Sequence, residues 1–486
     1  MPTDEPSITE RPVIEQIARF VAGTPRIDRP VALARARDAV HDTVACMVGG
    51  AGDAGAASVR RALANYGSGP ATVVGGMAPA HAPWAALANG TAAHALDFDD
   101  NFLPGLTHAS AVLVPALLAL AEQEQRGGAD VLDAYIIGLE IHALLGRGIG
   151  RRHYDLGWHS TATVGCIGTA AACARLLGLD ATRAAHALSL AVSMASGVKV
   201  QFGSTGKPLH AGLAAHHAVL ACTLATAGVE GRAEAIEGER GFRDLYAGDA
   251  DADWPKLLQG LGDPLAIEAY GLAPKLYPCC GSAHRVLDAV LALRAAHGFL
   301  AADVARVDAT VGYGNKRNLC YPRPTQEMEA RFSLHYCVAV ALLHGRVSLA
   351  DFTTAAVQRP EARALLGLTT MHATEPGAEG ADPTRRLPHR VTITLHDGRV
   401  LDDEVLWPRG TIGNPFAPGD LAAKFDDCCA GILDPTATDG ARRALEDFGA
   451  LDDIGRLTRH LRFEAGADRG ERFSASRGHG TSEAAE

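Results

Sequence analysis

The residues best suited to chemistry in this chain begin at Ala93-His94-Ala95-Leu96-Asp97-Phe98-Asp99-Asp100-Asn101, followed by Thr107-His108-Ala109-Ser110. Three carboxylates fall within four residues, and His108 follows eight residues after the last of them. Carboxylates and an imidazole in reach of one another are the components of acid–base proton transfer. An apolar run, Ala111 to Ala121, comes next. Thr107 or Ser110 offers a hydroxyl that can accept from free N–H groups at a helix start. The spacing therefore predicts His108 on a loop at the mouth of a helix, beside an acid cluster. A buried cluster of this kind needs a reason, because unpaired buried charge is costly. The same spacing also fits a solvated acidic loop with a capping histidine.

Further groups sit at similar places. Gly157-Trp158-His159-Ser160 opens a small-residue helix that stops at Gly178. At such an N-terminus the helix dipole disfavours imidazolium, so His159 is poised neutral, as a base; taken alone it could equally be a residue that only starts the helix. Lys207 lies in Gly203-Ser204-Thr205-Gly206-Lys207-Pro208, and Lys275 in Pro274-Lys275-Leu276-Tyr277-Pro278. Lysine is scarce here: Lys+Arg is 45, but only Lys199, Lys207, Lys256, Lys275, Lys316 and Lys424 are lysines. A compact ammonium does work that a guanidinium does not. His284 and Tyr321 complete the set of acids, bases and cations.

Several functions are excluded. Pro208 follows Lys207, so the glycine-rich turn is not a phosphate loop but remains a good anion site. Gly50-Ala51-Gly52-Asp53-Ala54-Gly55 follows helical text rather than a strand and reads as an inter-helix turn. No nucleophile elbow, zinc spacing or cluster-forming set of cysteines is present, so no metal is expected. The net charge of −11 argues against nucleic acid, and an anionic substrate would need a local basic island. Ten cysteines without a C-x-x-C pair fit a reduced, cytoplasmic protein. The acidic first ten residues are not expected to form a signal peptide, and no membrane span is expected.

The elements that must position these groups are mostly helical. Apolar spacing predicts helices from about residue 12, over 30–49, 55–65, 80–95, 109–125, 128–146, 164–177, 181–194 and 211–227. From about 268 the text changes. Val304 to Tyr313 alternates like a strand, and Arg390 to Leu406 reads as a β-hairpin turning at His396-Asp397-Gly398-Arg399. Helical text then returns to about 463. The expectation is a mainly α protein: a large helical domain (1–267 and 407–464) with an inserted α+β lid domain (268–406) and a disordered tail (465–486). Clefts between domains are the usual place for a ligand.

The strings Ala88 to Asp100 with Thr107-His108, Gly206 to Gly212, Lys275-Leu276-Tyr277-Pro278-Cys279-Cys280 with His284, Arg331 to Tyr336, and Gly413-Asn414-Pro415 with Lys424-Phe425 together resemble the MmgE/PrpD family. The resemblance runs over roughly residues 12–460 in the same order. It implies a helical domain with a smaller lid, generally a homodimer, and metal- and cofactor-independent chemistry on small di- or tricarboxylates. Dehydration, decarboxylation and epimerisation all occur in the family, and all pass through or near a carbanion beside a carboxylate. By resemblance to the decarboxylase site, Asp97, His108, His159, Lys207, Lys275 and Tyr321 are carried over. The expected roles are acid/base for His108 and His159, carboxylate clamps for Lys207 and Lys275, and an orienting role for Asp97. Asn101 stands where the mammalian decarboxylase has threonine, and the loop before His108 is one residue longer. Both departures count against decarboxylation of cis-aconitate. The leading expectation is a cofactor-independent lyase of the 2-methylcitrate dehydratase type, with Asn101 and His284 as further substrate contacts. An epimerase or decarboxylase, and a non-catalytic carboxylate-binding protein, are the alternatives.

Overall fold

The computed structural model describes residues 11–247, 252–379 and 386–464. The first ten residues and the tail from 465 lie outside the described residues. The protein is mainly helical with one small sheet. Helices Val13–Gly23, Pro30–Gly50, Ala54–Leu63, Ala82–His94, Ser110–Gln123, Gly128–Asp155, Ser160–Leu177, Ala181–Met194 and Gly206–Thr226 build the first part. Their buried faces form one core, which Phe425 to Leu461 rejoin near the C-terminus. A second core draws on residues between Tyr277 and Leu395. There helix His284–His297 packs on a four-stranded sheet of order β2-β1-β3-β4: β1 Val304–Val311, β2 Thr369–Ala373, β3 His389–Leu395 and β4 Val400–Val405. β1 runs parallel to β2 and antiparallel to β3; β3 and β4 are the hairpin.

Small residues set the closeness of the helical layer. Gly90 of Ala82–His94 faces Gly212 of Gly206–Thr226, and a Cβ on Gly90 would lie 2.9 Å from the Gly212 Cα. The backbones carrying the acid cluster and Lys207 can approach this far only without side chains. Ser160–Leu177 is the helix among the described residues that is long and apolar enough to cross a membrane; 89% of it is buried inside the protein.

Three boundaries differ from expectation. Helix Gly128–Asp155 passes beyond residue 146, with a break at Gly150 (φ 63°, ψ −175°). Helix Gly206–Thr226 starts five residues early because Pro208 fits the first turn, where a missing N–H costs nothing. Lys207 is thus inside the helix rather than in a turn before it. The N-cap of Ser110–Gln123 is Ala109, and no side chain caps it. The Ser110 hydroxyl instead donates to the Asp100 carboxylate and meets the Tyr135 hydroxyl at 2.6 Å.

Candidate active site

The loop after helix Ala82–His94 is buried, and cations from distant elements hold it. Arg331 donates to the Leu96 carbonyl (2.8 Å), Lys275 to the Asp97 carbonyl (2.9 Å) and Lys424 to the Phe98 carbonyl (2.6 Å). Three successive carbonyls that no helix or sheet satisfies thus each receive a charged donor, the stronger kind of hydrogen bond. Asn101 pairs with Ala273 in both directions at 2.9 Å, fixing the segment that delivers Lys275. Asp97 has φ +51°, a left-handed conformation that aspartate tolerates better than most residues. It turns the carboxylate between Lys207 and Lys275. Lys207 pairs with one oxygen and Lys275 lies 3.3 Å from the other.

All three are buried: Asp97 is 2% exposed, Lys207 3% and Lys275 1%. Burial works against the Asp97 charge, but Lys207 and then Lys275 overcome it and hold the carboxyl well below the usual range. Burial likewise opposes the Lys275 charge, and Asp97 with Asp99 restores it. Asp97 therefore partners the two lysines; its expected role is to orient a histidine or a substrate hydroxyl, and among the described residues it makes no hydrogen bond to a histidine. Two ammonium groups against one carboxylate leave a net positive site. Lys207 also sits at a helix N-terminus, whose dipole adds to its attraction for an anion.

The imidazoles lie beside this triad. His159 caps helix Ser160–Leu177 by position, with its N–H donating to the Gly197 carbonyl at 3.0 Å. Its Nδ1 is 3.0 Å from His210 Nδ1, and its Nε2 has no partner. Burial above all keeps His159 well below its ordinary pKa; His94, Lys207, His210 and His108 add to this. The direction matches the helix-start expectation, but the main cause is desolvation. His108 Nδ1 lies 2.9 Å from the Asp100 carbonyl and 3.3 Å from an Asp99 oxygen, which in turn is 2.7 Å from His94 Nδ1. A carbonyl only accepts, so His108 Nδ1 carries the proton and Nε2 holds the lone pair. Burial opposes the Asp99 charge, but the two imidazole N–H groups hold it well below the carboxylate range. Burial pushes His94 down to about 3 and lowers His108, with Asp99 working against both. Burial raises Asp100 to about 7 against its hydrogen bond from Ser110.

His94, Asp99 and His108 offer ligand atoms within 4.8 Å of one another. In this structure Nδ1 of both imidazoles faces the Asp99 carboxylate, and that of His108 the Asp100 carbonyl as well. The set reads as a hydrogen-bonded imidazole–carboxylate array.

A cavity of about 220 Å³ joins these groups. That is below the roughly 300–1,000 Å³ of sites for drug-sized ligands, and it suits a small acid. Asp97, Asn101, His108, His159, Lys207, Lys275 and His284 all line it. Tyr321 does not: it packs against Gly203 and the second core. Its position after the short helix Tyr313–Asn318 leaves it beside the cavity, with its hydroxyl against Gly203, the neighbour of the cavity-lining Phe202. His284 is at the wall, with Nε2 3.2 Å from the Cys279 carbonyl. Sequence reasoning left out His94, Asp99, His210, Arg331 and Lys424 as site residues. All five stood in the strings that carried the resemblance, His210 within Gly206 to Gly212, but no spacing in the chain marked them as neighbours in the site.

Fold and site together define a carboxylate-acting enzyme of lyase type, with a cationic, imidazole-lined cavity between a helical core and an α+β unit. The chain matches the MmgE/PrpD N-terminal domain over residues 15–255 and the MmgE/PrpD C-terminal domain over 277–447, and it belongs to that family. It is 30% identical over 395 residues to cis-aconitate decarboxylase of Homo sapiens, covering 78% of this chain and 79% of the relative. The Mus musculus enzyme is 30% identical over 412 residues, 81% of each. Cis-aconitate decarboxylase of Aspergillus terreus is 25% identical over 395 residues, 77% and 80%.

Proposed function

We propose that this chain removes a proton from a carbon next to a carboxylate of a small polycarboxylic acid and expels water, as a dehydratase of the 2-methylcitrate type. The observation that carries the reading is His159, neutral through burial and with Nε2 unpartnered in the same cavity as Lys207 and Lys275. A neutral imidazole takes a proton; it does not give one. As the C–H bond breaks, its electron pair spreads onto the adjacent carboxylate, where two ammonium groups stabilise the added charge. The pair then forms the double bond, and hydroxide leaves the neighbouring carbon as water with the proton that His159 has just taken, given back by its imidazolium. His108, whose Nε2 holds a lone pair at the same cavity, accepts a hydrogen bond from the substrate and is held in place through Asp99 and the Asp100 carbonyl. Asn101 lines the cavity with an amide able to hydrogen-bond the departing hydroxyl.

A second reading is decarboxylation, favoured by the activity named for the human and mouse relatives. There the bond to a carboxylate breaks, CO₂ leaves, and the electron pair on carbon is quenched by a proton from an imidazolium. Incubation with di- and tricarboxylates in deuterated water, followed by NMR, separates the two. Water loss supports the first reading, and CO₂ loss with deuterium uptake supports the second. No exchange, water loss or CO₂ loss with any acid overturns both. Metal independence and a homodimer belong to this reading: exhaustive chelation should leave turnover intact, and sedimentation should give twice the chain mass.

A further inference from the structure

The outer wall of the cavity carries a second set of cations that the chemistry above does not use: Arg151, Arg285, Arg386 and Arg409. Two of these are accounted for. Arg151 lies 3.4 Å from the Glu379 carboxylate, and Arg409 lies 2.7 Å from that of Asp420. The other two are not. Among the described residues neither Arg285 nor Arg386 has a carboxylate within ion-pair distance. Arg285 is only 7% exposed, and its one protein hydrogen bond goes to the Leu387 carbonyl. Arg386 is part-buried, stacked 4.6 Å above the Trp407 ring, and its Nε has no acceptor.

Arg331 shows what a structural arginine looks like in this protein. It too is buried without a carboxylate, but it donates to the carbonyls of Leu96 and Pro278 and lies over the Phe352 ring. It lies away from the cavity. Arg285 and Arg386 lack such a set of acceptors, line the cavity, and repel each other: burial and then Arg386 push Arg285 down to about 10. Among the described residues the one acid that acts on Arg285 is Glu379, which is already shared with Arg151, and two desolvated guanidinium groups so thinly balanced are costly in a free protein. They are arranged for a planar anion, which a guanidinium binds through two parallel hydrogen bonds. In a chain of net charge −11 this is the local basic island that an anionic ligand requires.

Resting on the lyase reading above, we infer that Arg285 and Arg386 form a second anion subsite, which holds the substrate carboxylate farthest from the reacting carbon. Lys207 and Lys275 hold the carboxylate at the reacting end. The two guanidinium groups thereby select acids with one more carboxylate than the lysine pair alone can bind.

The test measures binding rather than turnover. Calorimetric titration of the full chain uses two unreactive acids, glutarate and butyrate, which differ by the carboxylate at one end. The wild type should bind glutarate about tenfold or more tightly than butyrate, the scale of one charge-assisted contact. Arg386→Gln, at a part-exposed position, should erase most of that ratio while moving butyrate far less. Arg285→Lys keeps a charge at the buried position but loses the fork, and should narrow the ratio in the same sense. A wild type without preference, or a preference untouched in both variants, overturns the subsite. Turnover of any acid with an unchanged ratio sinks the subsite and leaves the lyase reading standing. A lost ratio in a protein without turnover does the reverse.

Discussion

His159 has two ring nitrogens in different situations: Nδ1 is engaged with His210, and Nε2 has no partner in the protein. When Nδ1 carries the proton toward His210, Nε2 is left with a lone pair at the cavity wall. His159→Gln keeps approximate size and one hydrogen bond but cannot take a proton. Its kcat should fall by at least about 10²-fold, the low end for general base catalysis, with substrate still bound. Because burial lowers the His159 pKa, the acid limb of kcat/KM should lie below pH 6.5. Near-normal turnover in this variant would make His159 only a helix-start residue. Asp99 does not line the cavity and acts through its neighbours. Asp99→Asn keeps an oxygen where both imidazoles meet Oδ2 but removes the negative charge beside them. Turnover should drop about 10–100-fold, as for other groups that orient a reacting side chain. KM should change little, and the pH profile should shift. An equal loss in KM and kcat, with the pH profile unmoved, would point to a structural role instead.

At the scale of elements, the site depends on a turn that no single element stabilises. Residues 96–98 are tied by Arg331, Lys275 and Lys424, which come from a short helix, a loop and the helix Asp420–Cys429. Lys424 also pairs with Asp42 of helix Pro30–Gly50 at 2.6 Å, both side chains being 2% exposed. Lys424→Met strands the buried Asp42 carboxylate and the Phe98 carbonyl. It should cost about 3–5 kcal/mol, the range for breaking a buried pair from one side, read from urea unfolding. The double variant Lys424→Met/Asp42→Leu should recover much of that loss, since no charge is then left unpaired. If the single variant is as stable as the wild type, the clamp on the turn is not what the geometry indicates.

For the whole molecule, buried titratable groups set the acid stability. Among the described residues twelve histidines have pKa values pushed down, burial being the first cause for each. Among them His41 and His153 fall to about 4, and His94 and His142 to about 3. In the unfolded chain each takes up its proton near pH 6.5. Below that pH the unfolded state binds more protons, so stability falls as pH falls, by up to about 1.4 kcal/mol per pH unit for each group. Five carboxyls, Asp42, Asp100, Glu140, Glu237 and Asp288, are raised by burial and act in the opposite sense. The histidines outnumber them, so the denaturation midpoint should drop steeply between pH 6.5 and 4.5. A flat profile across that window would mean that these imidazoles are solvated in the folded protein.

The chain by itself determined what depends on local order. Helix Ala181–Met194 and the β3–β4 hairpin lie where apolar periodicity and turn residues place them, because such signals act within a few residues. The strings around Asp97, His108, Lys207 and Lys275 likewise pointed to one cavity and one family. Tertiary structure alone decided the pairings. Asp97 could be assigned to the lysines rather than to a histidine only once Lys207 and Lys275, 110 and 178 residues away, were folded against it. The same holds for His159 with His210, and for Arg285 beside Arg386. Tyr321 shows the converse, since its context gave no sign that it would stand outside the cavity. Desolvation explains both kinds of outcome. Whether a carboxylate, ammonium or imidazole is charged, neutral or paired depends on what surrounds it in three dimensions, and residues far apart in the chain supply those surroundings.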